Sequence, residues 1–193
     1  GKITLESSLN LIGEAGAEFI GGFVFKAGAQ KFAATGITFN GNAAVDNVFE
    51  VTDAEMSSII VKNCTIKDSK NRLFYINNDA AKVASLDFVG CQISGKSGAD
   101  FTSGDFIDIR KGTVNAIKFQ NSTVSNAVRT FARIDAGVVL NSFTVANNTF
   151  DNICYVDNKD NNGIFHVRAT ALDVANFIVK NNIFADMHRA VET

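Results

Sequence analysis

The stretch Lys62-Asn63-Cys64-Thr65-Ile66 returns along the chain with the same chemistry at each position. Its counterparts follow at intervals of roughly 27 residues, a period typical of solenoids, propellers and other repeat arrays. They are Thr35-Gly36-Ile37-Thr38-Phe39, Val89-Gly90-Cys91-Gln92-Ile93, Gln120-Asn121-Ser122-Thr123-Val124, Ala146-Asn147-Asn148-Thr149-Phe150 and Lys180-Asn181-Asn182-Ile183-Phe184. Internal repetition therefore decides the architecture of this protein.

Each repeat contains a strand, a sharp bend and a second, shorter strand. The apolar positions before the bend are two residues apart, which places them on one face of a strand. They are Phe32 and Ala34, Ile59 and Val61, Leu86 and Phe88, Ile117 and Phe119, Phe143 and Val145, and Phe177 and Val179. The bend itself carries Asn or Gly in every copy, and these residues tolerate a left-handed backbone.

A third strand follows the second in most repeats. The segments are Val48–Val51, Phe74–Asn77, Phe106–Arg110, Ala132–Asp135 and Phe165–Arg168. Stacked repeats would place like side chains about 4.8 Å apart, the spacing of neighbouring strands. No single repeat buries its apolar face alone, but several stacked repeats do. The sequence therefore predicts an all-β protein, a single-stranded parallel β-helix with about seven coils and three short strands per coil.

The coil pattern and its Asn corners resemble the pectate-lyase-like, right-handed parallel β-helix superfamily. The segment Ser8-Leu9-Asn10-Leu11-Ile12-Gly13 resembles the opening coil of that family. Within it, the chain is most similar to β-helical surface or lipoprotein domains of gut Bacteroidetes. The resemblance covers nearly the whole chain and includes no catalytic motif. It implies a right-handed coil, an extracellular or cell-surface location, and a polysaccharide as ligand.

Length and composition are those of one soluble domain, residues 1–193. Residues 1–22 are less regular and are expected to form an opening coil or cap. The C-terminal end shows no evident cap, so we expect a fragment of a longer protein, or a further domain or chain at that edge. A net charge of −2 gives no electrostatic footprint for nucleic acid. No apolar run is long enough to cross a membrane.

The third strands bring polar side chains together on one face, which we call the polar strip. If Val51, Ile76, Ile109, Ile134 and Val167 point inwards, their neighbours form two outward columns. The first column is Glu50, Tyr75, Asp108, Arg133 and His166, and the second is Thr52, Asn77, Arg110, Asp135 and Arg168. The insertions at residues 95–104 and 157–163 precede third strands and would overhang this face.

Binding of an acidic polysaccharide along the polar strip, without cleavage, is the leading hypothesis. Arginine suits uronate or sulfate groups, Tyr75 suits stacking on a sugar ring, and Asn77 suits bonds to hydroxyls. The residues assigned to binding are Glu50, Tyr75, Asn77, Asp108, Arg110, Arg133, His166 and Arg168. The alternating Asp and Arg also fit ordinary pairing between strands, worth about 0.2–1 kcal/mol a pair.

Two alternatives remain open. A polysaccharide lyase or glycoside hydrolase, or a remnant of one, would use Asp108, Arg133, Asp135 and His166. Asp108 and Asp135 are diagonal neighbours at roughly 8 Å, a separation that suits an inverting hydrolase. Arginine neighbours lower a carboxyl pKa, however, whereas a general acid needs a raised one. The other alternative is a structural or adhesive module. No metal or cofactor is expected.

Cys64 and Cys91 occupy the same inward column on adjacent coils. They can be buried thiols that pack as small apolar groups, or they can be joined by a disulfide. Cys154 has no evident partner in the sequence pattern.

Overall fold

A computed structural model describes residues 1–95, 105–127, 129–154 and 163–186 of the chain. Sheet 1 contains β1 (Lys2–Leu5), β4 (Gly22–Phe25), β7 (Asn47–Val51), β11 (Arg72–Ile76), β14 (Ile107–Ile109), β17 (Ala132–Ile134) and β20 (Phe165–Val167). Sheet 2 contains β2 (Leu9–Ile12), β5 (Lys31–Thr35), β8 (Glu55–Met56), β9 (Ser58–Lys62), β12 (Lys82–Val89), β15 (Thr113–Gln120), β18 (Val139–Ala146) and β21 (Phe177–Lys180). Sheet 3 contains β3 (Glu18–Ile20), β6 (Thr38–Asn40), β10 (Thr65–Ser69), β13 (Gln92–Gly95), β16 (Thr123–Ala127), β19 (Thr149–Ile153) and β22 (Ile183–Ala185). A 3₁₀ helix, Val174–Asn176, precedes β21.

Successive strands of each sheet pair in parallel, and the chain visits the three sheets in turn. The register aligns equivalent positions of neighbouring repeats, so that Leu86 lies between Ile59 and Ile117 in sheet 2. The predicted fold is therefore confirmed: a right-handed parallel β-helix with three strands per coil. Residues 1–22, expected to form an opening coil or cap, contain β1, β2 and β3, which pair with the next coil.

The closed, buried part of the solenoid has about five turns, so the expected count of seven coils is wrong. The inward side chains between β4 and β19 are buried. The strands outside this span stack on a neighbour from one side only, and inward residues there are partly buried or exposed. Ile3 is 47% exposed at one end and Phe184 is 41% exposed at the other. The repeat pattern counted these end strands as full coils.

The bends between the first two strands of each coil have the predicted left-handed backbone. Asn63, Asn121, Asn147 and Asn181 have φ between 50° and 59°. Gly36 and Gly90 fill the same position with φ of 69° and 67°. A Cβ at Gly90 would lie 2.4 Å from Oδ1 of Asn63, so the position also needs a small residue.

Stacked phenylalanines form much of the core. Phe119 is fully buried, and its ring centroid lies 5.9 Å from that of Phe88, 4.8 Å from Phe131 and 6.4 Å from Phe150. These distances fall in the favourable range for aromatic pairs. Within the described residues, no helix has the length and apolar character needed to span a membrane.

The inward column that holds Cys64 and Cys91 continues with the polar Ser122, Asn148 and Asn182, and it passes hydrogen bonds from coil to coil. The Cys91 N–H donates to Ser122 Oγ at 3.0 Å, and the Ser122 N–H donates to Asn148 Oδ1 at 2.9 Å. The Asn148 N–H donates to Asn182 Oδ1 at 2.9 Å. Buried polar groups need such partners, because an unpaired one costs free energy.

Replacement of Phe119 by Ala should lower the free energy of unfolding by about 3–5 kcal/mol, because it leaves a cavity between stacked rings. Phe184→Ala is the matched control. Its ring stacks on Phe150 but is partly exposed, so the loss should be clearly smaller. Urea unfolding followed by circular dichroism measures both, and equal losses would contradict this account of the core.

The three cysteines are buried thiols in the structure, which therefore has thiols at Cys64 and Cys91 in place of the disulfide alternative. Burial raises the pKa of the Cys91 thiol to about 11 and also raises that of Cys64. A thiol reagent such as dithionitrobenzoate should therefore react slowly with the native protein. In denaturant without reductant, the reagent should react with three thiols per chain. Reaction with only one thiol would show that two cysteines form a disulfide.

Candidate functional site

Sheet 1 contains the strands predicted as the third strand of each repeat. The first column of the polar strip, which lies on this sheet, has the predicted register. In sheet 1, Tyr75 pairs with Glu50 and Asp108, and Arg133 pairs with Asp108 and His166. The second column lies one residue beyond the strands, and backbone hydrogen bonds extend the ladder to it. The N–H groups of Arg110, Asp135 and Arg168 donate to Ile76, Ile109 and Ile134 at 2.8–2.9 Å. The strip is therefore ordered by the backbone.

Asp108 is the centre of the site and is not exposed, which differs from its predicted place on an open surface. Its side chain has 0% exposure because two guanidinium groups cover it. Arg72 Nε donates to Oδ2 at 2.6 Å, and Arg110 Nη2 lies 3.0 Å from the same oxygen. A buried carboxylate is tolerated when it is paired and hydrogen-bonded in this way.

Arg72 is a residue of the site that the sequence pattern missed. It lies at the start of β11, outside both predicted columns. Only its long side chain brings its guanidinium group to the site. Its Cζ lies 4.5 Å from the centroid of the Tyr75 ring, and Arg110 Cζ lies 6.0 Å from the same centroid. Both are cation–π distances. Tyr75 thus packs against the two arginines, and Arg72 covers one face of its ring.

Asp135 is held by two further arginines. Arg133, two residues earlier in sequence, contacts both of its oxygens at 3.1 and 3.2 Å. Arg168 of the next coil donates to Oδ1 at 3.0 Å. Partial burial acts to raise the pKa of Asp135, but the hydrogen bonds from Arg133 and Arg168 outweigh it and leave the pKa below its usual value.

The ion pairs match the expected pairing between directly stacked residues only in part. Arg168 does pair with Asp135 of the coil before it. Asp108, expected to pair with Arg133, is joined to Arg110 instead, and Arg133 is joined to Asp135. In both of these pairs the partners are two residues apart and share a face. This arrangement orders the guanidinium groups along the strand as well as between strands.

Asp105 and Arg129, which the columns did not include, extend the site. Asp105 is 2% exposed, lies 3.8 Å from Arg129 Nε and accepts a hydrogen bond from the Thr130 N–H. Burial raises the pKa of Asp105, opposed by the charge of Arg129. Burial also lowers the pKa of His166, and the charges of Arg168 and Arg133 lower it further. His166 is therefore neutral near pH 7 and suits a hydrogen-bonding role.

The N-terminal part of the polar strip is satisfied internally. Glu50 pairs with Lys2 at 2.6 Å and accepts a hydrogen bond from Asn47. Thr52 Oγ1 donates to the Phe25 carbonyl, whereas Asn77 is exposed. Of the predicted insertions at residues 95–104 and 157–163, residues 96–104 and 157–162 lie outside the described residues, as do the final residues after Asp186.

Together these contacts form an arginine cluster, which consists of Arg72, Arg110, Arg129, Arg133 and Arg168 around three aspartates. The cluster has an excess of positive charge in a chain whose net charge is −2. Guanidinium groups are chemically suited to carboxylate, sulfate and phosphate anions. Neither Asp108, which is enclosed, nor Asp135, with its lowered pKa, has the environment of a general acid. Among the described residues, no group of three or more His, Cys, Asp or Glu could hold a metal ion.

The chain belongs to the family described as "Domain of unknown function (DUF4957)", whose model matches residues 1–127. The match includes the first five strands of sheet 1 and so covers Glu50, Tyr75, Asp108 and Arg110. Searches of the curated proteins and of the solved structures gave no significant match.

Arg72→Ala should lower the free energy of unfolding by about 3 kcal/mol, because it removes one of the two cations that enclose the buried Asp108 carboxylate. Arg168→Ala is the control and should cost less than about 1 kcal/mol, since Arg168 is 56% exposed. The double variant Arg72→Ala/Asp108→Asn should recover part of the loss. Urea unfolding at neutral pH tests this, and equal effects of the two single variants would show that Asp108 needs no partner.

Proposed function

We propose that the polar strip binds an acidic polysaccharide without cleaving it, as part of a secreted or cell-surface protein. The observation that carries the proposal is the arginine cluster, in which guanidinium groups outnumber carboxylates on one ordered face. Arg168 and Arg110 have side chains that are 56% and 33% exposed, so part of each guanidinium faces solvent. Guanidinium groups bind carboxylate and sulfate through paired, charge-assisted hydrogen bonds.

The aspartates support binding by fixing the arginines before a ligand arrives. Asp108 holds Arg72 and Arg110, while Asp135 holds Arg133 and Arg168. A flexible arginine loses conformational freedom when it binds, and prior ordering reduces this cost. Tyr75 contributes by packing against two of the same side chains. In this proposal Asp108 and Tyr75 are therefore positioning residues rather than groups that touch the sugar.

The resemblance to the pectate-lyase-like superfamily and to surface domains of gut Bacteroidetes supports the ligand class and the location. It also favours a glycan that lies lengthwise along sheet 1. Cleavage by a lyase or hydrolase is the less favoured alternative, because the buried Asp108 and the ion-paired Asp135 do not suit proton transfer to a leaving group.

A structural or adhesive role is a second candidate, favoured by apolar exposure at the C-terminal end of the described stack. Val179, Ile183 and Phe184 are 41%, 63% and 41% exposed. Their strands, β21 and β22, each pair with one neighbour among the described strands. Open strand edges with apolar side chains are suited to a further domain or chain that continues the sheets.

Affinity electrophoresis with a panel of neutral and acidic polysaccharides tests the proposal. The protein should be retarded by an acidic glycan, and Arg133→Ala/Arg168→Ala should weaken that interaction about tenfold or more, since each charge-assisted bond contributes about 1.5–3 kcal/mol. Added salt should weaken retardation further, because the contact is ionic.

Lys118→Ala/Lys180→Ala is the matched control, since it removes the same charge from exposed positions of sheet 2. It should leave retardation nearly unchanged. Equal loss in both variants would indicate a general charge effect and not a site. Absence of retardation by every glycan would remove the proposal and leave the structural role, whereas shortening of the glycan would establish the enzymatic alternative.

A further inference from the structure

The order of charges in the second column of the polar strip indicates which rings of the ligand carry acidic groups. This inference rests on the proposed function. The column carries one residue per coil: Thr52, Asn77, Arg110, Asp135 and Arg168. Its last three members are positive, negative and positive. Adjacent strands lie about 4.8 Å apart, so the backbones of Arg110 and Arg168 are roughly 10 Å apart.

The second column presents partly exposed charged side chains to a ligand. The side chains of Arg110, Asp135 and Arg168 are 33%, 19% and 56% exposed, whereas Asp108 in the first column has no exposure. Asp108 therefore contributes by holding Arg110, while Asp135 is part of the contact surface. Charge therefore alternates along this column. Counted by coil, Arg72 and Arg110 exceed Asp108 by one cation, Arg133 balances Asp135, and Arg168 adds a further cation.

Among the described residues, the hydrogen bonds to Asp135 leave one acceptor site unused. An ionised carboxylate has about four lone-pair sites. Its Oδ1 accepts from Arg133 and Arg168, and its Oδ2 accepts from Arg133 alone. The remaining site on Oδ2 suits a hydroxyl donor. The lowered pKa of Asp135 keeps the group ionised. A carboxylate or sulfate that approaches Oδ2 is opposed by this charge, and Arg133 is already engaged with both oxygens of Asp135.

Sheet 1 is long in one direction and narrow in the other. Its seven strands follow one another along the solenoid axis, while each strand is only three to five residues long. An extended glycan makes the most contacts when it lies along the axis. Successive sugar rings then advance by a distance similar to one strand spacing, about 4.8 Å. Neighbouring rings of the ligand thus meet neighbouring members of the column.

We propose that the ligand alternates acidic and neutral sugars. Carboxylates on every second ring bind Arg110 and Arg168, and a hydroxyl of the ring between them donates to Asp135. A glycan that is acidic at every ring brings a carboxylate into the field of Asp135 and binds less well. Asp135 is, on this account, the residue that determines specificity between the two charge patterns.

Hyaluronan and polygalacturonate are suitable probes, because the first is acidic at every second ring and the second at every ring. Titration calorimetry at matched uronate concentration should show about tenfold or greater preference for hyaluronan. Asp135→Asn should reduce this preference, mainly by strengthening the binding of polygalacturonate. Asp151→Asn, which removes a partly exposed carboxylate from sheet 3, should leave the preference unchanged.

Equal or tighter binding of polygalacturonate, lost in Arg133→Ala/Arg168→Ala, would overturn the inference while the proposed function stands. Failure of both probes and of every other acidic glycan would remove the proposed function as well. Unchanged preference in a folded Asp135→Asn protein would overturn the role of Asp135. If that variant does not fold, the preference of the unaltered protein for hyaluronan or polygalacturonate still tests whether the ligand alternates acidic and neutral sugars.

Discussion

Every feature of this protein depends on parallel strands that stack in register about 4.8 Å apart. This spacing turns each position of the repeat into a column that runs along the solenoid. Inward columns of Phe, Ile and Val form the core, and the stacked rings around Phe119 show how closely they pack. Outward columns acquire order from the same backbone ladders, so the polar strip needs no separate scaffold.

The coil architecture is predictable from sequence because each column repeats one kind of residue. Asn63 and Asn121 mark left-handed bends, and the paired apolar positions before them mark the first strand of each coil. Register follows from the same alignment, which is why Tyr75, Asp108 and Arg133 are neighbours as expected. The number of buried coils is less predictable, because burial depends on neighbours at both ends rather than on the pattern within a repeat.

The details of the arginine cluster are not predictable in this way. Arg72 reaches Asp108 from outside the columns, and only the direction of its long side chain brings it there. The burial of Asp108 likewise results from two neighbouring side chains that cover it, although its strand position is outward. A column pattern specifies where Cα atoms lie. It does not specify which of several nearby carboxylates a flexible guanidinium selects.

The direction of the interstrand hydrogen bonds has a mechanical consequence. Those bonds run along the solenoid axis, since they join each coil to the next. A pull between the two ends of the solenoid therefore loads them directly and separates coils one at a time. A polymer attached lengthwise to sheet 1, as proposed, would distribute the same force over several coils at once. Such an attachment resists tension better than a contact of equal strength at a single coil.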